Sequence, residues 1–157
     1  MSITAPSRRR SVGLAAATGA AAVAVLAPQA AFAASVTVSP SSSIVSGSSV
    51  TVSGTGYVAN GAYKIGVCST KTYGVFGVPA CATGVDVTTD ASGNLNVAVI
   101  ATKTNTNAHA SIPVVGAGQP ASFTCKGTAA NDQCEIVVTD HNGTSSTIVA
   151  RQNISFS

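Results

Sequence analysis

Four cysteines constrain this 157-residue chain more than any other feature. Cys68, Cys81, Cys125 and Cys134 stand with twelve residues between the first two and eight between the last two. An even count in a small exported domain reads as a disulfide framework, and no Cys-x-x-Cys supports a redox or zinc-ribbon reading. Three connectivities are open. Local pairing, Cys68 with Cys81 and Cys125 with Cys134, is the simplest, because each bridge then closes one hairpin-sized loop. Such loops are worth roughly 2.5–3 kcal/mol each by chain entropy.

The export reading rests on residues 1–33. Arg8-Arg9-Arg10 form a positive start, Val12 to Ala27 an alanine-rich apolar run, and Ala31-Phe32-Ala33 a small-x-small cleavage signal. This is the pattern of a secretory signal peptide cut after Ala33, and it predicts an extracellular product. Ser7-Arg8-Arg9 matches a twin-arginine signal only in its first residues, so the export route stays open. No second long apolar run follows, so no membrane span is expected in the mature chain.

Cleavage leaves residues 34–157 as one domain. It also removes the excess charge of the precursor, whose formal net charge is +3. In the remainder, Lys64, Lys71, Lys103, Lys126 and Arg151 balance Asp86, Asp90, Asp132, Glu135 and Asp140. Five scattered cations release few counterions from a nucleic-acid backbone, which argues against direct DNA or RNA binding.

Short alternating runs fill this domain. Val36 and Val38, Val50 and Val52, and Tyr63, Ile65 and Val67 each fall on one face at period two. Val85 and Val87, then Leu95, Val97 and Val99, continue the series. Phe123, Ile136, Val138, Ile148, Ile154 and Phe156 follow after a less regular stretch. Strands at this spacing, separated by Gly, Asn, Asp and Ser, predict an all-β antiparallel sandwich. Asp90-Ala91-Ser92-Gly93 and Asp140-His141-Asn142-Gly143 carry the chemistry of hairpin bends. Pro40 falls at the end of the first strand, where a missing donor does least harm. No segment shows the i, i+3, i+4, i+7 pattern of a helix. The mature chain also lacks Trp, so nothing resembles the Trp-on-disulfide pin of antibody domains. Both disulfides are therefore expected outside the inter-sheet core, each at the rim. Tyr73 and Phe76 lie within the first Cys loop and put apolar surface on a projecting ribbon.

Catalytic parts are scarce. His141 sits in a turn sequence, and His109 follows the polar run Lys103-Thr104-Asn105-Thr106-Asn107, which predicts an exposed loop. No Gly-x-Ser-x-Gly elbow links a serine to either histidine. Asp140 and Asn142 begin a calcium-like series that breaks off without a glutamate. Asp86 and Asp90 do not form a glycosidase pair, and Asp90 has a role in its turn. Asn142-Gly143-Thr144 and Asn153-Ile154-Ser155 match the glycosylation triplet, a common chance match. The chain reads as a non-enzyme with no metal site.

One further set of residues points to a known group. Val38-Ser39-Pro40-Ser41-Ser42, Gly47, Val50-Thr51-Val52, Gly54-Thr55-Gly56 and Gly61-Ala62-Tyr63-Lys64-Ile65-Gly66-Val67-Cys68 resemble the neocarzinostatin family in order and spacing. Asp90-Ala91-Ser92-Gly93, Cys125 and Cys134 with Val137-Val138-Thr139-Asp140, and Ile154-Ser155-Phe156-Ser157 extend the resemblance over nearly the whole mature chain. It implies an Ig-like seven-stranded antiparallel β-sandwich with two disulfide-closed ribbons flanking a cleft. It also implies a monomeric secreted antibiotic apoprotein that binds an enediyne-like chromophore without covalent attachment. DNA would then be touched only through the ligand.

By the same resemblance, Cys68–Cys81 forms the cleft floor, and Glu135 and Thr139 fall where the family offers polar side chains to the ligand. Tyr73, Phe76 and Val78 either contact the ligand or pack on one another to hold the first ribbon, and the two roles are compatible. The simplest placement for Glu135 is a rim carboxylate facing water, since charges are rarely buried unpaired. This chain departs from the family pattern in several places. Gly84 and Ile112-Pro113-Val114-Val115 stand where cleft aromatics are usual, Thr70 lies where a Trp is found, and Glu135 replaces a neutral amide. Each lost aromatic contact is worth about 0.5–1.5 kcal/mol, so a flat aromatic guest would be held more weakly. A second class therefore stays open, a secreted Ig-like structural or adhesive module that has lost its guest.

Overall fold

The computed structural model describes residues 33–110, 118–127, 133–143 and 146–157. Residues 1–32 of the expected export signal, the aliphatic stretch 112–115 and Thr144 of the first glycosylation triplet lie outside the described residues. Eleven strands and no helix make up the described part. In chain order they are β1 (Ser35–Ser39), β2 (Ser48–Thr55), β3 (Ala62–Tyr73), β4 (Val78–Cys81), β5 (Val85–Thr88) and β6 (Leu95–Ala101). They continue with β7 (Thr104–Asn105), β8 (His109–Ala110), β9 (Phe123–Thr124), β10 (Cys134–Asp140) and β11 (Thr147–Ile154).

Two antiparallel sheets face each other. One has the order β1-β2-β6; the other runs β11-β10-β3, with β5 also paired to β3. These three and four strands are the seven of an Ig-like sandwich. The remaining pieces are ribbons: β4 and β8 extend the second sheet beyond β3, and β7 pairs with β9. Period-two patterning places the core. Val38, Val50, Val52, Leu95 and Val99 from the first sheet meet Tyr63, Ile65, Val67, Ile136, Val138 and Ile154 from the second in one buried cluster.

The turns work as their residues dictate. The Asp90 carboxylate accepts hydrogen bonds from the backbone N–H of Ser92 and of Asn94, both at 2.8 Å. Gly93 closes that bend at φ 74°, with a Cβ position that would strike the Tyr57 carbonyl oxygen. The Asn142 side chain accepts from the Ala62 N–H at 2.6 Å and so ties the β10–β11 turn to the start of β3. Tyr57 packs edge-on against Tyr63 with centroids 5.0 Å apart, and its hydroxyl donates to the Ser35 carbonyl at 2.9 Å. Burial, aided by Tyr63, pushes the Tyr57 phenol up to about 12.

Three expectations need correction. Cys125 and Cys134 do not sit at the rim: both belong to the inter-sheet core cluster. The reason is register, because Cys134 shares the inward face of β10 with Ile136 and Val138. Val85 shares the inward face with its partner Ile65, yet stays 38 % exposed because β5 is an edge strand. Ile148 does not join the core face at all. It packs instead on the outer cluster formed by Cys68, Cys81 and Val137. The register of β11 on β10 skips a residue here, since Val138 pairs with Ala150 while Thr139 pairs with Ile148. Val149 and Ala150 both pack inward, and this bulge turns Ile148 to the opposite face.

Candidate functional site

The outer face of the second sheet carries the site. β10 is buried over Cys134–Thr139 on both of its faces, although a half-buried strand would alternate. Its inward residues fill the sandwich core. Its outward residues, Glu135, Val137 and Thr139, lie opposite Cys68, Gly66 and Lys64 of β3.

The first disulfide belongs to this outer face. Cys68 and Cys81 are directly opposed in the β3–β4 pairing, with Cα atoms 3.9 Å apart. Cys68 alternates with the inward-facing Val67, so the bridge lies outside the sandwich core, packed on Val137 and Ile148. The second bridge, Cys125–Cys134, has Cα atoms 5.3 Å apart and anchors the other ribbon at the foot of β10.

Two concavities open on this side. The first lies over the disulfide and is lined by Lys64, Gly66, Cys68, Cys81, Ala82, Gly84, His109, Val137 and Thr139. It measures only about 20 Å³, room for little more than a water. Gly84 is pressed into this wall, where an added Cβ would stand 2.9 Å from the Ile65 carbonyl and 2.7 Å from Lys64 Cγ. The space that an aromatic side chain would need there is already filled by β3. The second concavity, about 240 Å³, lies between the first ribbon and the start of β11. Phe76, Gly77, Val78, Pro79, Thr147, Ile148 and Arg151 line it.

Glu135 is where the expectation of a water-facing rim carboxylate fails. It is 5 % exposed, and its Oε1 accepts a hydrogen bond from Arg151 Nη1 at 2.9 Å. Burial raises its pKa above the ordinary 4.5, and Arg151 offsets part of that rise. The pairing follows from the sheet, because Arg151 sits opposite Val137, one diagonal step from Glu135.

The other sequence candidates separate. Thr139 is buried beside the disulfide wall. Val78 is buried and Phe76 is 63 % exposed, and both line the larger concavity. Tyr73 lies directly opposite Val78 in the β3–β4 pairing and packs against the main core, with the Lys71 ammonium 5.4 Å from its ring centroid. The structure thus gathers Glu135, Thr139 and the first disulfide on the outer face of the second sheet, with Phe76 and Val78 lining the concavity beside it and Tyr73 packed against the core. His109 lies in a strand where a loop was expected. It pairs with Cys81 and lines the disulfide wall while remaining exposed. Sequence reasoning missed Arg151 and Ile148 as site residues. The i, i+2 partners of Glu135 and Thr139 pointed to the face, but the bulge hid which β11 residues share it. Among the described residues no cluster of His, Cys, Asp or Glu could hold a metal ion.

Fold and site together define an Ig-like sandwich with a disulfide clip on the outer face of one sheet and a ribbon arched beside it. The neocarzinostatin family pattern matches residues 36–156, and the chain belongs to that family. Among solved structures it is similar to macromomycin, with 28 % identity and a TM-score of 0.60 over 80 % of this chain and all of that one. It is also similar to apokedarcidin in its solution conformation, with 25 % identity and a TM-score of 0.51 over the same shares. No curated protein matches the chain significantly.

Proposed function

We propose that this protein is an exported apoprotein, with residues 1–33 removed, that holds a small hydrophobic, enediyne-like chromophore without covalent attachment. Its family is one of chromophore-binding apoproteins. The observation that carries the reading is the double burial of β10. A strand with Glu135, Val137 and Thr139 sheltered on its outward face, beside a disulfide, offers a water-poor wall whose few polar groups are held in place. Such a wall excludes nucleophiles from a reactive guest. In this reading Cys68, Cys81, Phe76, Val78, Glu135 and Thr139 line the guest's surroundings, while Tyr73 stiffens the ribbon from behind. Damage to DNA belongs to the released guest, and the monomeric protein performs no catalysis.

One observation favours the second reading, a guest-free structural module. The hollow over the disulfide, about 20 Å³, is far below the roughly 300–1,000 Å³ of ordinary ligand pockets. A guest larger than a water is therefore seated there only if the lining residues move apart.

The chain has no Trp, so its own absorbance stops at the tyrosine band. Protein secreted by the native producer, kept dark and cold, is expected to begin at Ala34 and to carry a longer-wavelength absorber extractable into organic solvent. A clean tyrosine spectrum from that source overturns the carrier reading.

A further inference from the structure

A third concavity, about 380 Å³, opens between the link from β4 to β5 and the segment that runs from β6 through β7. The link supplies Ala82 and Thr83, β6 supplies Ile100, and the segment supplies Thr102, Asn105 and Thr106. Its volume falls in the roughly 300–1,000 Å³ range of ordinary ligand pockets. It shares Ala82 with the disulfide wall and no residue with the concavity beside the first ribbon.

One side of this concavity is firmly held. Lys103 is tied at three points: its N–H donates to Ser46 Oγ at 2.9 Å, its carbonyl accepts from the Cys125 N–H at 2.8 Å, and its ammonium donates to the Ser157 carbonyl at 2.9 Å. Its charge is thereby drawn off to the chain end. Asn105 is only 8 % exposed, and its Nδ2 donates to the Thr102 carbonyl at 3.0 Å. That bond fixes the amide and leaves its Oδ1 and a second N–H with no protein partner among the described residues. The side chains of Thr83, Thr102, Thr106 and Asn107 have no partner there either.

These free groups select a ligand by elimination. An apolar guest would strip water from several hydroxyls and amides, at about 1–3 kcal/mol for each group left unmatched. An ion would meet no opposite charge, because no ionised side chain lines the concavity. An uncharged ligand whose own groups both donate and accept matches threonine hydroxyls and asparagine amides, which do the same. Ile100, 60 % exposed, adds aliphatic surface for the C–H face of a ring. A cavity of roughly 150 Å³ accepts benzene, so this larger one has room for a hydroxylated six-membered ring.

We infer that this concavity binds a pyranose unit of a neutral saccharide, with the sugar hydroxyls on Thr83, Thr102, Asn105 and Thr106 and the C–H face on Ile100. Such a site needs no chromophore, so it goes beyond the carrier reading and survives the failure of that reading.

Backbone amide NMR of the disulfide-bonded protein, titrated with the methyl pyranosides of glucose, galactose, mannose and N-acetylglucosamine, tests it. At least one glycoside is expected to give saturating shifts at Thr83, Ile100, Thr102, Asn105 and Thr106. The variant Thr83→Val/Thr106→Val removes two exposed hydroxyls and is expected to weaken that binding about tenfold or more. Glucuronate is expected to bind more weakly than the methyl glucoside. Absence of saturation by all four glycosides, undiminished affinity in the double variant, or tighter binding of glucuronate would each overturn the site. So would equally tight binding of the uncharged peptide acetyl-Gly-Ser-Gly-amide. Should the double variant fail to fold, Ile100→Ser decides: undiminished affinity overturns the proposal. Saturating shifts confined to Lys64, Gly66, Gly84 and Thr139 also sink it and leave the carrier reading standing.

Discussion

Arg151 reaches diagonally across the β10–β11 pair to the carboxylate of Glu135, Nη1 to Oε1 2.9 Å, and half of the arginine stays in solvent while the glutamate is almost fully buried. Removing the arginine alone strands a buried charge. Arg151→Met is therefore expected to cost about 2–3 kcal/mol, below the range for fully buried pairs because the guanidinium is half-exposed. The double variant Glu135→Gln/Arg151→Met is expected to recover most of that loss. Urea unfolding of the wild type, both single variants and the double variant measures the coupling, and strict additivity would show that the pair does not couple.

Two carboxyl groups shape the acid limb of stability in opposite senses. Glu135 has a folded pKa above its ordinary 4.5, so the folded protein keeps a proton that the unfolded chain has lost. Its contribution is therefore full below 4.5 and lost as pH rises through the raised value. Asp90 is held below its ordinary 3.8, first by the backbone N–H of Asn94, then by the Asn94 side chain and the Ser92 N–H. Its contribution is present above 3.8 and lost as pH falls through the lowered value. Stability from these two groups is expected to peak near pH 4. Denaturation at stepped pH should show Glu135→Gln flattening the upper limb and Asp90→Asn the lower one.

The two disulfides differ in what they pack against. Replacing Cys125 and Cys134 by alanine opens space in the inter-sheet core, and the expected cost is about 3–5 kcal/mol. Replacing Cys68 and Cys81 removes a clip from the smaller outer cluster, with an expected cost of about 2–3 kcal/mol. Calorimetry of the two double variants orders them, and peptide mass mapping checks the pairing in the parent.

Gly93→Ala combines a positive φ with a Cβ driven into the Tyr57 carbonyl. Because the obstacle is backbone, the Asp90 turn must shift, and a loss of roughly 2–3 kcal/mol is expected. Gly47→Ala has a similar φ, 84°, but open space around it, and should cost about 1 kcal/mol. Thermal unfolding of the two variants separates strain from collision.

Much of the sandwich was legible in the sequence because period-two alternation maps directly onto a sheet with one buried face, as Val50 and Val52 or Ile65 and Val67 show. The turns were legible for a similarly local reason: Asp90 and Gly93 carry their own geometry. The site was legible only in part. Cys68, Glu135 and Thr139 were placed by resemblance, whereas burial of Glu135 depends on an arginine sixteen residues away, which no local pattern reveals. Tyr73 and Phe76 stand three residues apart in one ribbon, yet one packs on the core and the other on the outer concavity. Ile148 was misplaced because alternation assumes an unbroken register, and one extra residue in β11 inverts everything before it.

That extra residue has a consequence for how such a scaffold diversifies. With Val149 absorbed as a surplus position, Thr147 and Ile148 at the start of β11 are uncoupled in phase from its remainder. Swapping which side chains face the outer surface then takes one inserted or deleted codon near the hairpin, while Ala150 and Ile154 go on sealing the interior unchanged.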